Sequence, residues 1–190
     1  MQTKNLSLGD RFAEITVVVV TIIALLAGWM FKSSVENRSV PFTSGAVSAA
    51  LPAGWLQSEG KDGDLVSVTD MTSSGFAATY KVKYAEVSKD VTFGQFASAE
   101  TRGLGQNLIA FRVLNQQQVT VNGKDAFEIS YVFVESNPNA ARQELPVVVR
   151  GVEYIFIKDG KAATVTYWAS QSEYDAGLNL FKRFLTSVKY

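Results

Sequence analysis

"QQQVTVNGKDAFEISYVFV", residues 116–134, decides how most of this chain folds. Asn122-Gly123 interrupts two runs rich in β-branched and aromatic residues. Both members of an Asn-Gly pair tolerate the positive φ angles that a two-residue hairpin turn demands. Beyond the turn, Phe127, Ile129, Tyr131 and Phe133 share one face, and Glu128 and Ser130 alternate against them. That period of two is the signature of a half-buried strand, so the segment reads as an antiparallel hairpin with one apolar face.

The same chemistry recurs outward in both directions. Asp159-Gly160 links "GVEYIFIK" to "KAATVTYWAS" as a second hairpin, and "ESNPNAARQ" is a polar loop between the two. Upstream, "AVSAALPAGW" is a short strand stopped by Pro52 and Gly54, and "DLVSVTD" is another after the turn-like "EGKDGD". In "FAATYKVKYAEV", Ala78, Tyr80, Val82 and Tyr84 share one face, while Thr79, Lys81 and Lys83 share the other. The two lysines read as a solvated strand face, with an anionic-lipid contact as the functional alternative. Two helices complete the pattern. Thr92 and Gln95 fit a capping box ahead of Phe93, Phe96, Ala97, Glu100 and Leu104 at helical spacing, with Gly103 and Gly105 weakening the end. Tyr174, Leu178, Phe181, Leu185 and Val188 form the apolar stripe of a final helix, capped by Ser170 or Ser172, with Lys182, Arg183 and Lys189 toward its C-terminus. The expected fold is α+β: six or seven mainly antiparallel strands flanked by helices as an α/β/α sandwich.

Several local words strengthen that reading. "LPAGW", "VTFGQFA", "VNGKDAFEISY", "DGKAATVTYWA" and the closing "YDAGLNLFKRFLTSVKY" occur in an order that resembles the PsbP-like family. That family includes the extrinsic protein of the photosynthetic oxygen-evolving complex and many bacterial secreted or lipoprotein relatives. The resemblance covers roughly residues 40–190 and implies a non-enzymatic partner of a larger assembly. The chain departs from its lipoprotein relatives in having no lipobox cysteine, and no histidine metal site can be carried over.

Ahead of this domain stands "ITVVVVTIIALLAGWMF", residues 15–31, with no charged residue. Its β-branched content suits a strand, but strands are far shorter than 17 residues. As a helix it spans about 25 Å, and Phe12 and Ala13 bring it close to the thickness of a bilayer core. A cleaved signal peptide is the rival reading. Its apolar region runs to roughly 15 residues at most and is followed closely by a small-residue site. Here the nearest such pattern, "SGAVSAA", lies beyond the polar "KSSVENRSVPFT". The expected organisation is a tail over 1–11, a transmembrane helix over 12–32, a tether over 33–45 and a soluble domain over 46–190. Phe12, Trp29, Phe31 and Lys32 would anchor the helix at the membrane interface, and Ala24 and Gly28 form a small-xxx-small pair for helix packing. The flanking basic residues nearly tie, and a first helix followed by a folded domain resembles a signal anchor that leaves the domain outside the cytoplasm.

Composition narrows the chemistry. The 190 residues contain no cysteine and no histidine, which removes disulfides, thiolate nucleophiles, most zinc and copper sites and the commonest general base. Lys and Arg total 18, as do Asp and Glu, so the charge balance gives no general surface for nucleic acid. Asp62 and Asp64 in "KDGD" lack the calcium-loop pattern and read as a turn. Gly103 and Gly105 do not make a dinucleotide fingerprint. Trp55 and Trp168 read as packing residues. No catalytic residue and no cofactor is expected. The expected function is that of a single-pass accessory subunit, in contact with membrane lipids and a membrane protein complex. Asn137, Pro138, Asn139 and Arg142 sit on its most plausible partner-reaching loop. A binding protein for a lipid, pigment or other small hydrophobic ligand is the second reading.

Overall fold

The computed structural model describes residues 8–36, 38–44, 47–59, 63–73, 75–136 and 145–190. The chain divides into two units, Met1–Ser39 and Val40–Tyr190.

The first unit is helix α1, Leu8–Glu36. Its 19-residue stretch Glu14–Lys32, with a mean hydropathy of 2.2 over an 18-residue window, is long and apolar enough by length and composition to cross a membrane. Large apolar side chains from Phe12 to Phe31 are exposed around it, with Phe12 68% and Trp29 67% accessible. The two threonines in the stretch bond back to the helix: Thr16 Oγ1 donates to the Phe12 carbonyl and Thr21 Oγ1 to that of Val17, both at 2.8 Å. Those hydroxyls therefore need no water, as a hydrocarbon environment requires.

From Val40 the second unit holds the rest of β1, Ser39–Ser44, and β2, Val47–Pro52, which form a two-stranded sheet. β1 occupies residues read from the sequence as tether. The main sheet contains β3 (Leu56–Glu59), β4 (Asp64–Thr69), β5 (Thr79–Glu86), β6 (Ile109–Val121), β7 (Lys124–Glu135), β8 (Val147–Lys158) and β9 (Lys161–Ser170). Its spatial order is β3-β4-β5-β9-β8-β7-β6, and every neighbouring pair is antiparallel. Both two-residue turns carry positive φ at each central residue: 50° and 74° at Asn122-Gly123, 50° and 75° at Asp159-Gly160. They therefore follow the right-handed twist of the strands they join.

Helix α2, Phe93–Asn107, packs on one face of the sheet, and helix α3, Tyr174–Ser187, on the other. The α3 side is centred on Tyr80, whose ring meets Tyr167, Phe181 and Phe184 within 5.4 Å and Trp55 at 4.4 Å. The α2 side gathers Ala97, Ile129, Tyr131, Phe133, Val149 and Ile155. Alternation along each strand feeds both cores, which is why the long strands carry apolar residues on both faces.

The α2 capping box forms as expected. Gln95 N–H donates to Thr92 Oγ1 at 3.3 Å, and Thr92 N–H donates to Gln95 Oε1 at 3.0 Å. Thr92→Ala is expected to cost about 1 kcal/mol, the usual worth of such a cap, read as a lower midpoint in urea. The helix continues through Gly103 and Gly105 to Asn107. At α3 the expectation fails. Glu173 is the N-cap with no side-chain capping bond, and the hydroxyls of Ser170 and Ser172 face each other at 3.2 Å instead. Its last turn holds no basic residue, because the helix stops at Ser187. Packing of Tyr174, Phe181, Phe184 and Leu185, all buried, holds α3 in place of a cap.

Candidate functional site: a polar groove beside α2

Helix α2 packs over β6, β7 and β8. The β5 and β9 part of the same sheet face then forms the floor of a groove of about 590 Å³, with Glu100, Leu104 and Asn107 of α2 as its wall. Cross-strand register builds the floor. Lys81 faces Thr166, which faces Glu153, and Lys83 faces Thr164 in the next row. Asp64 closes the rim from β4.

The two lysines are not a plain solvated face. Their side chains are only 27% and 35% exposed, and each is engaged. Lys81 Nζ lies 3.4 Å from an Asp64 carboxylate oxygen and 4.2 Å from the centre of the Trp168 ring. Lys83 Nζ lies 3.1 Å and 3.4 Å from the two oxygens of Glu100. Alternation correctly put both residues on the face opposite Tyr80. It could not tell that a helix from later in the chain would wall that face.

Glu153 is the chemically distinctive group. It is 4% exposed. Its Oε1 accepts from Tyr131 Oη at 3.1 Å and from Thr166 Oγ1 at 3.3 Å, while Oε2 has no hydrogen-bond partner. Trp168 Nε1 donates in turn to Tyr131 Oη at 2.7 Å. Burial, reinforced by the Glu100 charge, pushes the Glu153 carboxyl up to about 7, against the pull of Tyr131, Thr166 and Lys83. Burial, with the Glu153 charge next, raises the Tyr131 phenol well above its usual value. The network needs Gly151. A Cβ there would lie 2.6 Å from Tyr131 Cζ and 3.0 Å from Trp168 Cδ1.

Lys83 holds Glu100, and Tyr131 and Thr166 hold Glu153, so neither carboxyl is set beside an activated nucleophile. Among the described residues no group of three or more acidic side chains is placed to hold a metal ion. The lining of paired charges and hydroxyls suits polar groups better than an acyl chain or pigment ring, which could not replace the solvation these groups would lose.

Every groove residue belongs to the second unit. Phe12, Ala24, Gly28, Trp29, Phe31 and Lys32 all lie on α1 of the first. Asn137, Pro138, Asn139 and Arg142, like Asp62, fall outside the described residues. Trp55 and Trp168 are packing residues: the first lies against Tyr80, and the second is bonded to Tyr131 and covered by Lys81. Glu153 escaped the sequence reading, although a signal was there. In "VVVRGVEYIFI", residues 147–157, it is one of only two charges in an apolar run.

No protein-family model matches the chain, and no curated protein sequence does. Solved structures do match. The cyanobacterial PsbP protein CyanoP, from Synechocystis sp., superposes with a TM-score of 0.58 at 16% identity, over 80% of this chain and 94% of its own. The second unit has the PsbP fold. LpqN, described as involved in cell envelope biogenesis in Mycobacterium tuberculosis, superposes with a TM-score of 0.52 at 11% identity, over 80% of this chain and 85% of its own. Such low identities establish a shared PsbP fold and leave function to be argued from the site.

Proposed function

We propose that this chain is a non-catalytic accessory subunit of a larger membrane protein complex. In this reading one membrane-spanning helix holds it, with the PsbP-fold domain on the extracytoplasmic side. The observation that carries the reading is the surface of α1: 19 consecutive residues of high hydropathy, none of that stretch buried within the protein. In water such a cylinder would expose a row of Val, Ile and Leu side chains, each worth about 1.5–3 kcal/mol on burial. A bilayer covers them without any further protein.

In this reading the span covers residues 12–32, with 1–11 as a short tail and the domain following the tether. Phe12 marks one interface, and Trp29, Phe31 and Lys32 mark the other. Gly28 has open space where a Cβ would stand, so with Ala24 it offers a close approach to a neighbouring helix of the complex. On the domain, the polar groove and the loop carrying Asn137, Pro138, Asn139 and Arg142 are the surfaces offered to the partner. The description of LpqN as involved in cell envelope biogenesis favours an extracytoplasmic domain.

The test is extraction of native membranes in mild detergent, followed by size separation and mass spectrometry. The chain is expected to travel with other membrane proteins in a particle far larger than its own 20.7 kDa. Migration as a lone monomer carrying lipid would support the ligand-binding reading instead. Sidedness is read separately. The chain has no cysteine, so Ser58→Cys supplies a single thiol, expected to react with a membrane-impermeant maleimide in intact cells.

A further inference from the structure

The two edges of the main sheet differ sharply. β3 is four residues long and ends in Glu59, the short charged edge that discourages strand addition. β6 at the other edge has 13 residues. Its first half is irregular: two register shifts each insert an extra residue, between Ile109 and Arg112 and between Val113 and Asn115, and Ala110 adopts a φ of 52°. From Asn115 to Val121 the pairing with β7 is regular. Residues 113–121 contain no charge and no proline, so neither of those two guards protects that half.

The backbone there has a definite polarity. Val121 and Lys124 flank the two-residue turn as its closing pair, and the residues flanking such a turn exchange both hydrogen bonds. Alternation then turns the N–H and C=O groups of Thr120, Gln118 and Gln116 away from β7, toward the open edge. All three residues are exposed. Their spacing is self-complementary. A second β6 laid antiparallel about a two-fold axis at Gln118 sets Gln118 opposite Gln118 and Gln116 opposite Thr120, with every outward group bonded.

We propose that this edge is a homodimer interface, in which β6 of two copies of this chain pair antiparallel across Gln118 into one continuous sheet. A second copy satisfies this edge because the register closes on itself and no charge in residues 113–121 opposes its own image. The bulged half limits the contact to the regular half, and the two-fold pairing uses up that edge in both copies, which closes the assembly at two.

The absence of cysteine makes the test direct. In full-length protein in membranes, Gln118→Cys is expected to form a disulfide-linked dimer under mild oxidation. Cα atoms of such a pair lie about 5.5 Å apart, within disulfide reach. Leu114→Cys, roughly 25 Å from its mate along the strands, is expected to give little. Gln116→Cys and Thr120→Cys should each fail alone and cross-link when the two chains are mixed. Gln118→Pro removes only an outward N–H, which an edge strand tolerates, and should abolish self-association at unchanged circular dichroism. The proposal is overturned if folded Gln118→Cys stays monomeric, or if Leu114→Cys links as readily. Should Gln118→Pro unfold, the cysteine pattern decides the question alone.

Discussion

Gly151→Ala is expected to destabilise the PsbP-fold domain by about 3–5 kcal/mol, the sum of overpacking and of a broken buried hydrogen bond. In an ordinary strand the same change stabilises by about 0.5–1 kcal/mol, because alanine loses less backbone freedom on folding. The sign reverses here because Gly151 sits directly between Tyr131 and Trp168 on the flanking strands. An added Cβ would lie 2.6 Å from Tyr131 Cζ, well inside van der Waals contact. The tyrosine ring cannot step aside. It is fully buried, with the Phe111 ring centred 5.3 Å away and its hydroxyl fixed by Trp168 and Glu153. Urea denaturation followed by tryptophan fluorescence measures the loss. The effect should shrink when Tyr131→Val is present, since the two residues share one space and their effects cannot add. An unchanged midpoint for Gly151→Ala would mean that the aromatic ring has room to move.

The domain is expected to be more stable at pH 5 than at pH 8, by on the order of 3 kcal/mol from Glu153 alone. The sign follows from the direction of its shift. Burial raises the Glu153 carboxyl from 4.5 to about 7, so the folded state binds a proton that the unfolded state has released. Stability from this group is full below pH 4.5, falls as pH rises through 7, and is level above that. Ionisation above neutrality places a negative charge beside the Glu100 carboxylate, with Oε2 unbonded. Glu153→Gln keeps an acceptor for Tyr131 and Thr166 and removes that charge. It should flatten the curve between pH 5 and 8 and raise the midpoint at pH 8, with little change at pH 5. A variant with the same pH dependence as the parent would assign the slope to another group.

Both effects meet at one patch, and neither was evident along the chain. Asn122-Gly123 and Asp159-Gly160 could be read at once, because the φ angles of a two-residue turn depend on two residues alone. The Thr92–Gln95 box was equally legible, since its partners stand three positions apart. Alternation placed Tyr80 and Val82 on one face and Lys81 and Lys83 on the other, which is correct. Whether that second face was wet was another matter. It depended on where residues 93–107 would lie, and Glu100 meets Lys83 across 17 positions of sequence. The α3 cap misled for a related reason. Ser170 and Ser172 have the chemistry of caps, but buried aromatic packing set where the helix starts.

Local sequence by itself determined the hairpins, the α2 cap, the alternating faces and the long apolar helix, because each follows from dihedral preference or hydropathy over a few neighbours. Tertiary structure alone decided that Glu153 is buried, that Gly151 is boxed between two rings, and that β6 rather than β3 is the long open edge. Burial and strand order are sums over residues far apart in the chain. A glutamate therefore reads the same in sequence whether it titrates near 4.5 or near 7.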